Sequence, residues 1–90
     1  MQTFDALADF KMHGHNVLIT GGAQNIGAGI AKSFVGAGAK VMIADLQGDK
    51  ARETAQQITA ETGGSCLGMA CDVTKEEDIA AVVKATADAF

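Results

Sequence analysis

The sequence predicts an α/β fold, a parallel β-sheet whose strands alternate with covering helices. Two observations carry this. Three short apolar runs, Asn16–Thr20, Lys40–Asp45 and Ser65–Cys71, lack the apolar–polar alternation of a half-exposed sheet, so each reads as a strand buried on both faces. Between and after them, apolar residues recur every three or four positions, the period of a helix packed on one side. A β-α-β-α-β-α order with short connections implies crossover helices on a parallel sheet. Right-handed crossovers place the first two helices on one face.

Residues 1–15 show no clear period and read as a leader, with Phe4, Leu7 and Phe10 as one small apolar cluster, so the domain proper is expected over 16–90. The first strand, Asn16–Thr20 (NVLIT), lies between His13-Gly14-His15 and Gly21-Gly22. A helix is predicted over Ile26–Val35, with Ile26, Ile30, Ala31 and Phe34 on its packing face and Gly36 and Gly38 as the stop, since glycine fits the left-handed position that ends many helices. Lys40–Asp45 (KVMIAD) is a second buried strand. Asp49–Thr62 presents Ala51, Ala55, Ile58 and Thr62 on one side of an otherwise charged helix that Gly63-Gly64 closes. Ser65–Cys71 is a third strand, weakened by Gly68. Thr74-Lys75-Glu76-Glu77 has the form of a capping box, and the helix after it carries the stripe Ile79, Val82, Val83, Thr86, Ala87 and Phe90.

Composition excludes several classes. Ninety residues make one small domain. The seven Lys and Arg are scattered and outnumbered by 11 acids, for a net charge of −4, which is unlike the basic face that neutralises nucleic-acid phosphates and offers no polybasic cluster to a membrane surface. No segment approaches the roughly 20 apolar residues that span a bilayer, and Met1–Phe10 has two acids and no signal-peptide core, so a cytoplasmic location is expected. Cys66 and Cys71 have opposite parity and should face opposite sides of the sheet, which argues against a disulfide. Their spacing with His13 and His15 matches no common zinc module, so no metal site is expected. The scattered lysines and Arg52 read as solvated positions, and Met12, Met42 and Met69 as packing residues.

The informative stretch is Thr20-Gly21-Gly22-Ala23-Gln24-Asn25-Ile26-Gly27-Ala28-Gly29, between a strand and a helix. A pyrophosphate needs close donors, and the free amides and dipole of a helix N-terminus supply them. Glycine permits the tight turn and lets the phosphates approach the backbone. This pattern resembles the T-G-x-x-x-G-x-G fingerprint of the short-chain dehydrogenase/reductase family, matched by Thr20, Gly21 and Gly27, with Asn25 in place of the middle glycine. Asparagine is the residue next most tolerant of the left-handed conformation. Gln24 stands where the epimerase-like branch of the family needs glycine, which argues against that branch. The resemblance implies a partial Rossmann-type doubly wound sheet, strand order 3-2-1, truncated relative to a family member of roughly 250 residues. It makes Thr20, Gly21, Gln24, Asn25, Ile26 and Gly27 the expected pyrophosphate contacts.

Two acids at strand ends extend the reading. Asp45 closes the second strand, 18 residues after Gly27, at the position that faces the adenosine ribose in a dinucleotide fold. A carboxylate there accepts from the ribose hydroxyls and repels a 2′-phosphate. Members of the family that take the phosphorylated cofactor often carry Arg or Lys at the place of Gln24 or just after the acid. Here Gln24 and Leu46 are uncharged, so NAD is expected over NADP. Asp72-Val73 resembles the family's Asp-Val pair, whose carboxylate accepts from the adenine amino group while the next amide meets the ring nitrogen.

The resemblance further implies hydride transfer between a nicotinamide and a small-molecule alcohol or ketone, in an enzyme expected to be a homo-oligomer. The catalytic serine and the Tyr-x-x-x-Lys pair of the family are not in these residues, and the sequence has no tyrosine at all. The 90-residue chain is therefore expected to bind cofactor without performing the reaction. The alternative is a dinucleotide-binding module that does no chemistry. The 3-2-1 order also leaves the first strand as an apolar edge, an aggregation template if nothing covers it.

Overall fold

The computed structural model describes residues 14–21 and 25–90. The expectations for the leader, for His13, for Gln24 and for the side chain of Asn25 lie outside the described residues. Three strands, β1 (Asn16–Thr20), β2 (Lys40–Asp45) and β3 (Cys66–Ala70), alternate with three helices, α1 (Asn25–Gly36), α2 (Gly48–Thr62) and α3 (Glu76–Ala89). The first two strands have the bounds read from the sequence, and β3 is one residue shorter at each end. All pairings are parallel and β2 is central. The register runs from Asn16↔Lys40 to Thr20↔Ala44 and from Val41↔Cys66 to Asp45↔Ala70. This is the expected 3-2-1 order, and the strands end nearly level at their C-terminal side.

The sheet buries both faces. On one, Val41 and Ile43 of β2 and Cys66 of β3 pack under Ala31 and Val35 of α1 and Ala51, Ala55 and Ile58 of α2, with Val17, Ile19 and Phe34 at the margin. On the other, Met42, Ala44 and Cys71 meet Val82 of α3, with Leu18, Met69 and Phe90 beside them. The first two helices thus share a face, as right-handed crossovers require. The two cysteines are free, buried and on opposite faces.

Close approach shapes the α2–β3 contact. A Cβ on Gly68 would stand 2.3 Å from the Ala51 carbonyl oxygen, and one on Gly48 would stand 2.7 Å from Ala70 Cβ. Both glycines are there because the helix backbone lies against the strand, so the interruption that Gly68 makes in the sequence pattern is a packing requirement. Gly63 ends α2 in the left-handed conformation (φ 73°), and its amide donates to the Thr59 carbonyl at 2.8 Å, the cap expected at this position.

Three expectations change. Thr74 is not an N-cap: α3 starts after Lys75, whose side chain makes no capping bond. The Thr74 hydroxyl donates instead to Asp72 Oδ1 at 2.6 Å, because Asp72 lies two residues back in a turn that an aspartate closes well. Ile26 and Ile30 are not packing residues of α1, being 80% and 45% exposed. The buried stripe runs through Ala31 and Val35, whose short side chains let α1 sit close to the sheet. On α3 only Val82 and Thr86 are buried, while Ile79 and Val83 are largely open.

Candidate functional site

The C-terminal ends of the three strands surround a cleft of about 300 Å³, lined by Thr20 and Gly21 at the end of β1, Ala44, Asp45 and Leu46 at the end of β2, and Cys71 and Val73 in the segment after β3. Ligands of open α/β sheets bind in this crevice.

At the β1 side, the Gly21 amide donates to the Ala44 carbonyl at 2.8 Å, which draws the turn over the end of β2. Gly21 has φ 69°, a left-handed backbone that side chains rarely adopt, yet among the described residues a Cβ there would meet nothing within 4 Å. Conformation, rather than contact with the described residues, requires glycine here. Ile26 and Gly27 lie in the first turn of α1, which begins at Asn25 and holds no acidic side chain. Its leading amides have no acceptor within the helix itself. Asn25 is helical, so tolerance of the left-handed conformation is not what this position asks of it.

At the β2 side, Asp45 is half-buried at the strand end, and its Oδ1 accepts from the Gln47 amide at 2.9 Å. That bond fixes the carboxylate at the rim. Leu46, 72% exposed, forms an apolar wall beside it. Gly48, by letting α2 reach Ala70, brings the start of the next helix close behind the acid.

At the β3 side, Asp72 is tied at three points. Its amide donates to Asp78 Oδ2 at 2.9 Å, its carbonyl accepts from the Lys75 amide at 3.0 Å, and its Oδ1 accepts from the Thr74 amide at 3.0 Å and the Thr74 hydroxyl. The Thr74 hydroxyl, then the Thr74 amide, hold the Asp72 carboxyl below its usual range. Asp72 Oδ2 and the Val73 amide have no hydrogen-bond partner among the described residues. Cys71 forms part of the floor. Burial first, then the carboxylates of Asp78 and Asp72, push its thiol up, so it is a protonated packing group rather than a nucleophile.

The structure thus brings Thr20, Gly21, Asp45, Leu46, Asp72 and Val73 around one end of the sheet, with Ile26 and Gly27 at the start of α1. Sequence reading missed the Cys71 floor and Asp78. The signal for Asp78 was available, since an acid in the first turn of a helix often reaches back to an upstream amide, but Glu77 fits the consensus spacing better. Among the described residues no group of three His, Cys, Asp or Glu side chains could hold a metal ion, and no helix is long and apolar enough to cross a membrane.

Fold and cleft together define a parallel, Rossmann-like α/β unit with its polar groups gathered beyond the strand ends. Comparison with known proteins makes this specific. The short chain dehydrogenase family matches residues 15–90, and the chain belongs to the short-chain dehydrogenase/reductase family, which binds nicotinamide cofactors. It is 43% identical over 77 residues to L-fucose dehydrogenase of Bos taurus, a match that covers 86% of this chain and 27% of that protein. It is 41% identical over 76 residues to tropinone reductase-like 1 of Erythroxylum coca, covering 84% of this chain and 26% of that one. Among solved structures, L-sorbose reductase from Gluconobacter frateurii, complexed with NADPH and L-sorbose, superposes with a TM-score of 0.84 at 32% identity, over 91% of this chain and 31% of that one. The chain therefore spans about a quarter to a third of the length of these relatives.

Proposed function

We propose that this chain binds NAD as the cofactor-holding front part of an oxidoreductase acting on a small-molecule alcohol or ketone. The observation that carries the reading is the convergence, at one end of the sheet, of a left-handed glycine turn at Gly21, the Asp45 carboxylate at the end of β2, and an acceptor–donor pair, Asp72 Oδ2 and the Val73 amide, with no partner among the described residues. When bound, the nicotinamide supplies the hydride acceptor or donor.

Each residue has a task in this reading. Thr20, Gly21, Gln24, Asn25, Ile26 and Gly27 hold the pyrophosphate at the start of α1, where the helix dipole favours negative charge. Asp45 accepts from the adenosine ribose hydroxyls, and its charge repels a 2′-phosphate. Leu46 and Val73 supply apolar walls on either side of the base. Asp72 Oδ2 and the Val73 amide match the amino group and ring nitrogen of adenine. With no tyrosine in its sequence, the chain lacks the phenol that moves the proton in this family, so it holds cofactor without turning over substrate. L-Sorbose reductase was solved with NADPH. The carboxylate of Asp45, followed by the uncharged Leu46, favours NAD for this chain instead.

The test is titration of the full chain with NAD and with NADP. NAD binds more tightly by at least about tenfold, since a like-charge juxtaposition costs several kcal/mol and solvent screens part of it at this half-buried position, and Asp45→Ala narrows the ratio toward one. A wild-type chain that prefers NADP overturns the NAD assignment, and one that binds neither overturns the nucleotide reading.

A further inference from the structure

We propose that Asp78, in the first turn of α3, is a positioning residue that sets the Asp72–Val73 turn for recognition of the adenine base. This rests on the dinucleotide reading above. The Asp78 carboxylate bonds outside its own helix. An acid at the third position of a helix ordinarily reaches back to the amide of its own N-cap. The N-cap here is Lys75, and its amide is already taken by the Asp72 carbonyl at 3.0 Å. Asp78 Oδ2 passes over Lys75 and accepts from the Asp72 amide, six residues back, at 2.9 Å.

The division of labour follows from the bonds. Asp78 fixes the Asp72 backbone, and Thr74, through its amide and hydroxyl, fixes the rotamer of the Asp72 carboxylate. What remains, among the described residues, is one open acceptor, Asp72 Oδ2, next to one open donor, the Val73 amide. An acceptor–donor pair of this kind reads a base edge only if its two members keep their relative position. Removing the Asp78 carboxylate leaves the Asp72 amide without an acceptor and lets the turn rotate, so the pair loses its register. The arrangement also places two carboxylates near the Cys71 thiol, which both push up. That arrangement serves the turn rather than the start of the helix.

The experiment compares NAD with its hypoxanthine analogue, in which the 6-amino donor of adenine is replaced by an oxygen and the adjacent ring nitrogen becomes a donor. Affinities of both for the full chain are measured by calorimetry. Wild type prefers NAD by about tenfold, the scale of mispairing a hydrogen-bonding edge. Asp78→Ala brings the ratio close to one. Asp78→Asn keeps an acceptor oxygen and keeps most of the ratio, and Glu77→Gln, which removes a charge from the same turn without touching Asp72, keeps all of it. Two results overturn the inference while leaving the proposed function intact: an Asp78→Ala chain that binds both ligands more weakly but at the wild-type ratio, which marks a merely structural role, and a wild-type chain that binds both equally well. A wild-type chain that binds no NAD overturns the proposed function and this role with it.

Discussion

The two faces of the sheet are held by different physics. Under α1 and α2 the contacts are apolar and close: alanines, one valine and one isoleucine from the helices meet Val41, Ile43 and Cys66, and glycines stand where the α2 backbone presses on β3. Under α3 there is one buried apolar helix side chain, Val82, beside the buried Thr86, and the helix is anchored at its start by hydrogen bonds among Asp72, Thr74 and Asp78. The first face has no room to give. The second is fixed chiefly at its lead-in turn. The difference suits a cleft at the strand ends, because the turn that carries Asp72 and Val73 is set by directional hydrogen bonds, which define position as well as proximity.

The largest effect that sharpens this contrast is expected on the first face. Gly68→Ala places a methyl group 2.3 Å from the Ala51 carbonyl oxygen and 2.7 Å from the Arg52 nitrogen, all backbone atoms. The helix and strand must separate, at about 3 kcal/mol, the upper end of ordinary overpacking. Chemical denaturation measures this. A variant as stable as wild type would mean that the α2–β3 contact is looser than its geometry, and the contrast between faces would fail.

The second face gives a paired prediction on one helix. Val82 is 1% exposed and its neighbour Val83 is 53% exposed. Val82→Ala should destabilise by about 2 kcal/mol through lost burial and the cavity left behind. Val83→Ala should lie within about 0.5 kcal/mol of wild type, as surface substitutions do. Denaturation midpoints of the two variants decide it. Equal losses would show that Val83 is covered in solution, and that this face is closed by something besides α3.

These contrasts show what was legible in the sequence. The strands were, because an unbroken apolar run such as KVMIAD has few other uses, and so was the stop at Gly63, because a left-handed cap asks for glycine. The shared face of α1 and α2 followed from the handedness of crossovers. The buried stripe of α1 did not follow from periodicity. Ile26 and Ile30 are larger and more apolar than Ala31, yet the short residue is the one that fits against a sheet at close range, and a count of apolar positions cannot see distance. The lead-in to α3 was hidden for a different reason. Thr74 and Glu77 satisfy one local consensus, but the turn closed by Asp72 two residues back is a second local option, and it is the one that takes the Thr74 hydroxyl. At the strand ends, Gly21, Asp45 and Asp72 were readable because each ends or closely follows a strand, whereas Asp78 bonds a backbone amide six residues back, which no side-chain pattern in the sequence marks.

The smallest effect tests the polar anchoring of the second face. Thr74→Val removes the hydroxyl that donates to Asp72 Oδ1 and keeps the Thr74 amide that donates to the same atom. Because the hydroxyl is the first cause of the depressed Asp72 pKa, its loss moves the carboxyl back toward its ordinary range. A carboxyl whose folded pKa lies below its unfolded value stabilises the fold in full above the unfolded pKa, about 4 for Asp, and loses that contribution as pH falls through the folded value. Wild type should therefore exceed Thr74→Val by a constant margin from neutral pH down to about pH 5, and the margin should shrink as acid titrates Asp72. The exchange of a hydroxyl for a methyl on an exposed residue adds an offset that does not depend on pH and drops out of the comparison. Glu61, held below its usual range first by Lys32 on the other face, titrates alike in both chains and cancels too. Urea midpoints collected across the acid limb read the margin directly. A margin that stays constant into strong acid would show that the Thr74 hydroxyl does not sense the charge on Asp72, and the hydrogen-bonded turn would then owe its position to the Asp78 tie and the Thr74 amide alone.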